Sequence, residues 1–405
     1  INAEYGALIN MTKQDIGLFF LNIFAAFGPF MLINAIWAEF SVFNKQLPEK
    51  DTLNTTVNLI YNISNLVCLF IIPFLNKIKK LNDFYLIMSL FALAFLLNIL
   101  LIFFWNVQTN GHSWFLLLIS CLSGVIGCFG VTYIFPTLST SDKQKSAISV
   151  GLSLSGVFVN FISAVQFRSE TKLLFSVEIF YILSSIIQAA TLILCFFSYR
   201  VGKRQQISYN KIQEDMQLII AEEGQEKEKT LEIQDKKQKL KEKIVWRFYG
   251  PLNIFLSSFA YYFTTPNLFP YLTLDKKWSN TFNLCSSLSN FAGRLITITP
   301  ITNYVNNLYI IVGLIFCFMV TEITFCFFDI SEYATVVILS LHMFLCGYIS
   351  SIAYYGKIVE ECGENIDEKI KRNKAYQKYV SISNQVACLV ASLVAFGFVQ
   401  LLEKI

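Results

Sequence analysis

Eleven apolar stretches, each about 20 residues long, divide six and five around one highly charged segment. As a helix, about 20 residues rise about 30 Å, which matches the hydrocarbon core of a bilayer. No water at that depth satisfies backbone N–H and C=O groups, so each stretch must close its own hydrogen bonds, as a helix does. The pattern predicts an all-α integral membrane protein with eleven transmembrane helices. The spans are expected near 16–43, 56–75, 84–105, 114–136, 147–167 and 177–199, then 251–274, 279–298, 308–328, 334–355 and 380–402. That divides the chain into a six-helix bundle (1–199), a charged linker (200–250) and a five-helix bundle (251–405).

Charge is scarce and localised. Charged residues make up 15% of the chain, against about 25% in soluble domains. The net charge of +4 comes from basic residues gathered in a few loops, so it gives no reason to expect a nucleic-acid partner. Nine of the ten cysteines fall inside apolar stretches and no CxxC pair occurs, which reads as small buried hydrophobes. His112 and His342 are too few and too far apart to suggest a metal site. No phosphate-binding loop, nucleophile constellation or ion-channel filter is present, so neither an enzyme nor a resident cofactor is expected.

Lysine and arginine set the expected orientation, because they stay on the cytoplasmic side. Loops after spans 2, 4, 6, 8 and 10 carry Lys77, Lys79, Lys80, Lys143, Lys145, the cluster from Arg200 to Arg247 and that from Lys357 to Lys378. The N-terminus is therefore expected in the cytosol, or on the matrix side in a mitochondrion; the sequence does not choose between a plasma and an organellar membrane. Ile1 stands where a methionine would begin a chain, and a removed targeting segment is one expectation from that. Trp105, Trp114, Trp246 and Trp278 sit at span ends, as an interfacial aromatic belt requires. The mixed-sign segments 205–243 and 360–378 read as solvated helices or, for the first, a tether.

Polar side chains recur inside the spans at helical spacing. Asn34, Trp37 and Ser41 share a face with Glu39 beside them, and Asn58, Asn62 and Asn65 form a stripe of amides. Asn283, Ser287, Asn290 and Arg294 form another, and Tyr348, Ser351 and Tyr355 a fourth. Any one amide or hydroxyl can be interhelical glue contributing about 0.6 kcal/mol. Stripes on four helices together imply a polar-lined interior, as a transport path needs. Arg294 is expected at an inner gate, bonding helix-end carbonyls or a loop acid and too far in depth from Glu322 to pair with it. Glu322 reads as interfacial, with proton carriage as the alternative. Pro29 after Gly28, and Pro266 with Pro270, break the first span of each half, and such matching breaks point to a carrier's central site.

Certain residues bring a known family into view. Asn34-Ala35-Ile36-Trp37-Ala38-Glu39-Phe40 with Gln46-Leu47-Pro48-Glu49, then Val131-Thr132-Tyr133-Ile134-Phe135-Pro136-Thr137-Leu138-Ser139, resemble signatures of the riboflavin transporter family. Gly151-Leu152-Ser153, Ala164-Val165-Gln166 and Gln385-Val386 continue the resemblance. Asn290-Phe291-Ala292-Gly293-Arg294 is similar instead to a span ending in equilibrative nucleoside transporters. Both resemblances imply a major-facilitator-like bundle short of one helix, working by alternating access on a planar, neutral, hydroxylated heterocycle.

Such a substrate needs aromatic faces and amide or hydroxyl contacts. Trp37, Tyr133, Tyr261, Tyr262 and Tyr348 are the candidate faces, and Asn34, Thr132, Asn267, Asn290 and Gln385 the candidate polar contacts. Glu39 joins them through the first motif. A reading of another class, a carrier fold serving as a structural subunit of a larger membrane complex, is carried by the long charged segment.

Overall fold

The computed structural model describes residues 13–50, 52–75, 82–138, 142–169, 172–223, 250–268, 271, 279–298, 308–328, 330–355 and 366–402. Nearly all of them are helical. The helices are α1 (Lys13–Ala25), α2 (Gly28–Ala38), α3 (Phe40–Gln46), α4 (Thr52–Leu75), α5 (Asp83–Phe104) and α6 (Trp114–Phe129). A π-helical turn (Gly130–Ile134) joins α6 to α7 (Phe135–Leu138), and α8 (Asp142–Gln166) and α9 (Val177–Glu223) complete the first half. The second half holds α10 (residues 250–263, running into a π turn at Thr264–Leu268), α11 (Ser279–Ile296), α12 (Leu308–Phe325), α13 (Glu332–Tyr355) and α14 (Ile366–Leu402).

Among the described residues six helices are long and apolar enough to cross a membrane, and seven if the bent pair α1–α2 counts as one span. The chain is thus a multi-pass integral membrane protein. The other expected spans coincide with helices that are shorter or more polar. Residues Tyr309–Phe325 form a shorter apolar helix, while α4 and α11 carry the amide and hydroxyl rows that lower their hydropathy. Burial is inverted relative to a soluble protein. Large apolar side chains such as Phe70, Phe103, Ile186 and Ile310 are more than 60% exposed, whereas Asn58, Asn62, Asn98 and Gln188 are fully buried. Lipid is as apolar as leucine, so the protein keeps its polar groups for helix contacts.

Local sequence sets the breaks. α1 and α2 meet at a 45° bend where Pro29 occupies the first turn of α2. A Cβ on Gly28 would lie 2.1 Å from the ring of Phe91, so the glycine lets α5 press into the bend. α2 ends at Glu39, whose backbone (φ −90°, ψ 0°) has left helical geometry before α3 begins. Asn82 caps α5 by accepting from Phe84 N at 3.0 Å.

The core lies in two apolar clusters, one within residues 25–195 around Phe43, Tyr61, Phe91 and Phe180, the other within 260–399 around Phe263, Ile315 and Ile349. A small third cluster joins them, with Ile23, Phe27, Ala147 and Val150 against Phe291 and Ile298.

The fold is all-helical apart from a short antiparallel hairpin, Phe167–Ser169 with Lys172–Leu173, in the loop between α8 and α9. The described parts of the mixed-sign segments are helical and continue from the spans: α9 runs unbroken to Glu223, and α14 includes residues 366–378. Residues 224–249 and 356–365 lie outside the described ones. Trp105 is no belt residue. It is buried, stacked on Phe43 with ring centroids 5.5 Å apart, and its Nε1 donates to Glu178 Oε1 at 2.9 Å. Trp114 is 58% exposed, as a belt position is; Trp246 and Trp278 lie outside the described residues.

Candidate functional site

Polar side chains from the two halves of the chain meet along a seam. α8 and α11 form one side of it. At one end Arg294 Nη1 donates to Ser149 Oγ at 3.1 Å and to Ser149 O at 3.4 Å, while its Nε donates to Asn290 Oδ1 at 3.0 Å. Ser149 Oγ also lies 2.7 Å from Ser351 Oγ of α13. Further along, Asn160 Nδ2 donates to Ser287 Oγ at 2.7 Å. At the other end Ser41 Oγ of α3 donates to Asn280 Oδ1 at 3.2 Å. α4 and α14 form the second side, where Asn62 Nδ2 donates to Ser392 Oγ at 2.7 Å; further along α14, Ser381 Oγ donates to the carbonyl of Val131 in the π turn after α6 at 3.3 Å.

Between these sides sits an aromatic and amide group. The Trp37 ring meets Tyr61 and Tyr262 edge-on, with centroids 5.8 and 6.3 Å away, and Tyr262 meets Tyr261 at 5.0 Å. Asn58 Nδ2 reaches Asn267 Oδ1 at 3.4 Å, across the seam. The π turn positions Asn267, whose Nδ2 donates to the carbonyl of Tyr262 at 2.5 Å. A π turn frees backbone carbonyls from the helical ladder, and this one is used by a side chain. Asn34 Nδ2 donates to Ser155 Oγ at 2.8 Å, and a Cβ on Gly156 would lie 3.7 Å from both Asn34 Nδ2 and Ser287 Oγ. Trp37 Nε1 is buried with no hydrogen-bond partner, a donor at the centre of the group. The members named here are all uncharged, so the group suits a flat neutral molecule through ring faces and amides.

Not every sequence candidate joins it. Asn34, Trp37, Tyr261, Tyr262 and Asn267 come together. Asn290 lies nearby on α11, bonded to Arg294 and, through Nδ2, to the carbonyl of Met343 at 3.4 Å. Tyr348 is buried on α13 with its hydroxyl unpartnered, beside the close crossing of α11 and α13. There Gly293 faces Phe344 O and Gly347 faces Asn290 O, where a Cβ would stand 2.1 and 2.3 Å from those atoms. Gln385 is buried on α14. Thr132 bonds back to Cys128 O at 2.6 Å, and the Tyr133 hydroxyl donates to Asp83 at the start of α5, so both side chains stay within the first half. Glu39 is buried but faces Gln166, Glu178 and Tyr181, also of the first half.

The sequence reading missed Ser149, Asn160 and Tyr61 as seam residues. It also missed the partner of Glu322, which is fully buried with His342 Nδ1 at 2.8 Å from Oε2. Glu322 and His342 stand on different helices, so no spacing rule on one helix reveals them. Among the described residues no group of His, Cys, Asp and Glu is placed to hold a metal ion.

No protein-family model matches the sequence, and no curated protein sequence matches it. In three dimensions the chain shares its overall fold with a solved membrane-protein structure. It is similar to the xylose transporter XylE from E. coli in a partially occluded inward-open conformation, with a TM-score of 0.53 at 10% sequence identity, over 95% of this chain and 90% of that one. At that identity the likeness establishes the fold and nothing finer.

Proposed function

We propose that this chain is a carrier that moves riboflavin or a similar planar, neutral heterocycle across its membrane by alternating access. The observation that carries the reading is the Trp37–Tyr61–Tyr262 group with Asn34, Asn58 and Asn267, set on the seam and closed at one end by Arg294. In this reading eleven spans form a six-plus-five bundle, with the Arg294 end facing the cytosol or matrix, where the basic loops lie. Arg294 then acts as the inner gate and is drawn away from Ser149 when that side opens. Trp37, Tyr261, Tyr262 and Tyr348 offer ring faces, and Asn34, Asn267, Asn290 and Gln385 address the uracil-like edge and the polyol. Thr132, Tyr133 and Glu39 are left with support from the motif resemblance alone.

Uptake of radiolabelled riboflavin into proteoliposomes of the purified full chain tests this. Saturable uptake that falls about tenfold with Trp37→Ala is expected, since a lost stacking partner costs about 1.5 kcal/mol. Absence of uptake, or uptake indifferent to that change, defeats the assignment. The motif ending in Arg294 supports a second reading, a nucleoside carrier; strong competition by excess uridine or adenosine would favour it over riboflavin.

A further inference from the structure

A glutamate and a histidine face each other inside the second half, away from the aromatic group. Glu322 on α12 and His342 on α13 are both fully buried. His342 Nδ1 lies 2.9 Å from Oε1 and 2.8 Å from Oε2. Phe318, one turn before Glu322, stacks on the imidazole with centroids 6.5 Å apart. Ionisable groups at membrane depth are costly, and those that persist are paired and tend to mark ion or proton paths.

The geometry fixes which ring nitrogen the pair shares. Nδ1 faces both carboxylate oxygens, so the hydrogen bond between the two groups runs through that nitrogen. That leaves Nε2 as the ring atom at which the pair gains or loses a proton. Nε2 is buried, and the neighbouring polar side chain on its own helix is the Cys346 thiol. With a proton there the pair is neutral overall; without it the pair carries one negative charge. Only an N–H bond is made or broken, and the proton comes from and returns to water.

Among the described residues, the groups found against the pair are uncharged. Cys346, one turn along α13, faces the imidazole, and Cys326 Sγ donates to the backbone carbonyl of Glu322 at 3.6 Å. α10 presents Tyr261 and α11 presents Phe282 to the neighbouring Leu339 and Met343. Arg294 of α11 is turned to Ser149 of α8 instead. A polar stripe leads away from the pair. His342, Cys346 and Ser350 occupy successive turns of one face of α13. Cys346 Sγ donates to Ser257 O at 3.7 Å, and Ser257 Oγ lies 3.3 Å from Ser350 Oγ. Ser257 stands on α10, the helix that brings Tyr261 and Tyr262 to the seam.

We propose that Glu322 and His342 form a proton-binding site, loaded and discharged at His342 Nε2, that couples substrate movement to a proton gradient. Coupling rests on the carrier reading; proton binding does not.

Two experiments on the full chain separate them. The chain has two histidines, so 15N-histidine labelling with His112→Gln in lipid nanodiscs leaves the His342 signal alone. Its Nε2 resonance is expected to pass between imidazolium and neutral positions as pH rises from about 5 to about 11, with the change on the alkaline side of a free imidazole's, and Glu322→Gln to alter the tautomer balance. A resonance unchanged over that range overturns the site, with or without transport. In riboflavin-loaded proteoliposome assays, a pH step of about one unit is expected to drive about tenfold accumulation, as one proton per substrate dictates. Glu322→Gln is expected to lose that accumulation, while exchange of labelled for unlabelled riboflavin at equal pH falls by a smaller factor. Accumulation in the unsubstituted chain that ignores the gradient overturns coupling. No uptake at all, with a titrating His342, counts against the carrier reading and leaves the proton site standing.

Discussion

At the scale of single residues, Arg294 ties three helices at one end of the seam, through Asn290 on its own helix and Ser149 on α8, which in turn meets Ser351 on α13. A charged hydrogen bond contributes about 1.5–3 kcal/mol, so Arg294→Gln is expected to shift this end toward an open state about tenfold or more. The readout is the labelling rate of Ser351→Cys by a water-soluble thiol reagent, and an unchanged rate would sink the gate role. Arg294→Lys is expected to behave like Gln rather than Arg, since an ammonium cannot reproduce the guanidinium fork toward Ser149 and Asn290. Trp37 and Tyr133 make a sharper contrast. Both belong to the family-like motifs, yet Trp37 stands in the aromatic group and the Tyr133 hydroxyl is turned to Asp83. Trp37→Ala is therefore expected to raise the KM for riboflavin about tenfold, and Tyr133→Phe to leave it unchanged; equal effects would mean that the motif, not the geometry, marks the site. Much of this was readable in advance. Asn34, Trp37, Asn58 and Asn62 announce themselves by helical spacing, because a polar face on an apolar helix has no other reason to be regular. Glu322 and His342 were not legible as a pair, since each is a lone ionisable residue on its helix and only packing brings them together.

At the scale of elements, the six long apolar helices were legible because hydropathy has a sharp edge where lipid meets water. That same edge hides where helices end. Backbone hydrogen bonding does not stop at the headgroups, so α9 runs on to Glu223 and α14 begins at Ile366. The bend before α2 was foreseeable from Gly28 and Pro29. The π turn at Gly130–Ile134 was not, because nothing in local composition distinguishes it from the helix on either side. Close helix crossings make the most exacting element-level test. Gly347 lies where a Cβ would stand 2.3 Å from the carbonyl of Asn290, a backbone atom with no room to rotate away. Gly347→Val is expected to force α11 and α13 apart at a cost of about 1–3 kcal/mol, lowering the melting temperature in detergent and weakening uptake. Gly397→Ala, where nothing lies within 4 Å, is expected to melt with the unsubstituted chain. Equal melting of both variants would mean that the crossing is looser than the two glycines imply.

At the scale of the whole molecule, the seam is bonded at both ends and in its middle, and this has a consequence for transport. A carrier that alternates must open at either end while the other stays closed, by rocking its bundles against each other. Ser149 and Ser351 meet at the Arg294 end, with hydroxyls 2.7 Å apart, and Ser41 meets Asn280 at the opposite end at 3.2 Å. Pairs of cysteines at these positions, in a chain freed of its native cysteines, are close enough for a short thiol-bridging reagent. Either bridge alone is expected to abolish riboflavin uptake, because a rocking carrier must open both ends in turn, and a reducible bridge is expected to restore uptake on reduction. Binding should survive both locks, since neither pair belongs to the aromatic group. A channel predicts a different pattern: a bridge at a non-constricting end leaves flux intact. Uptake that persists with the Ser41–Asn280 pair bridged would therefore show that this end never opens, and alternating access would have to be abandoned even if riboflavin proved to be the substrate.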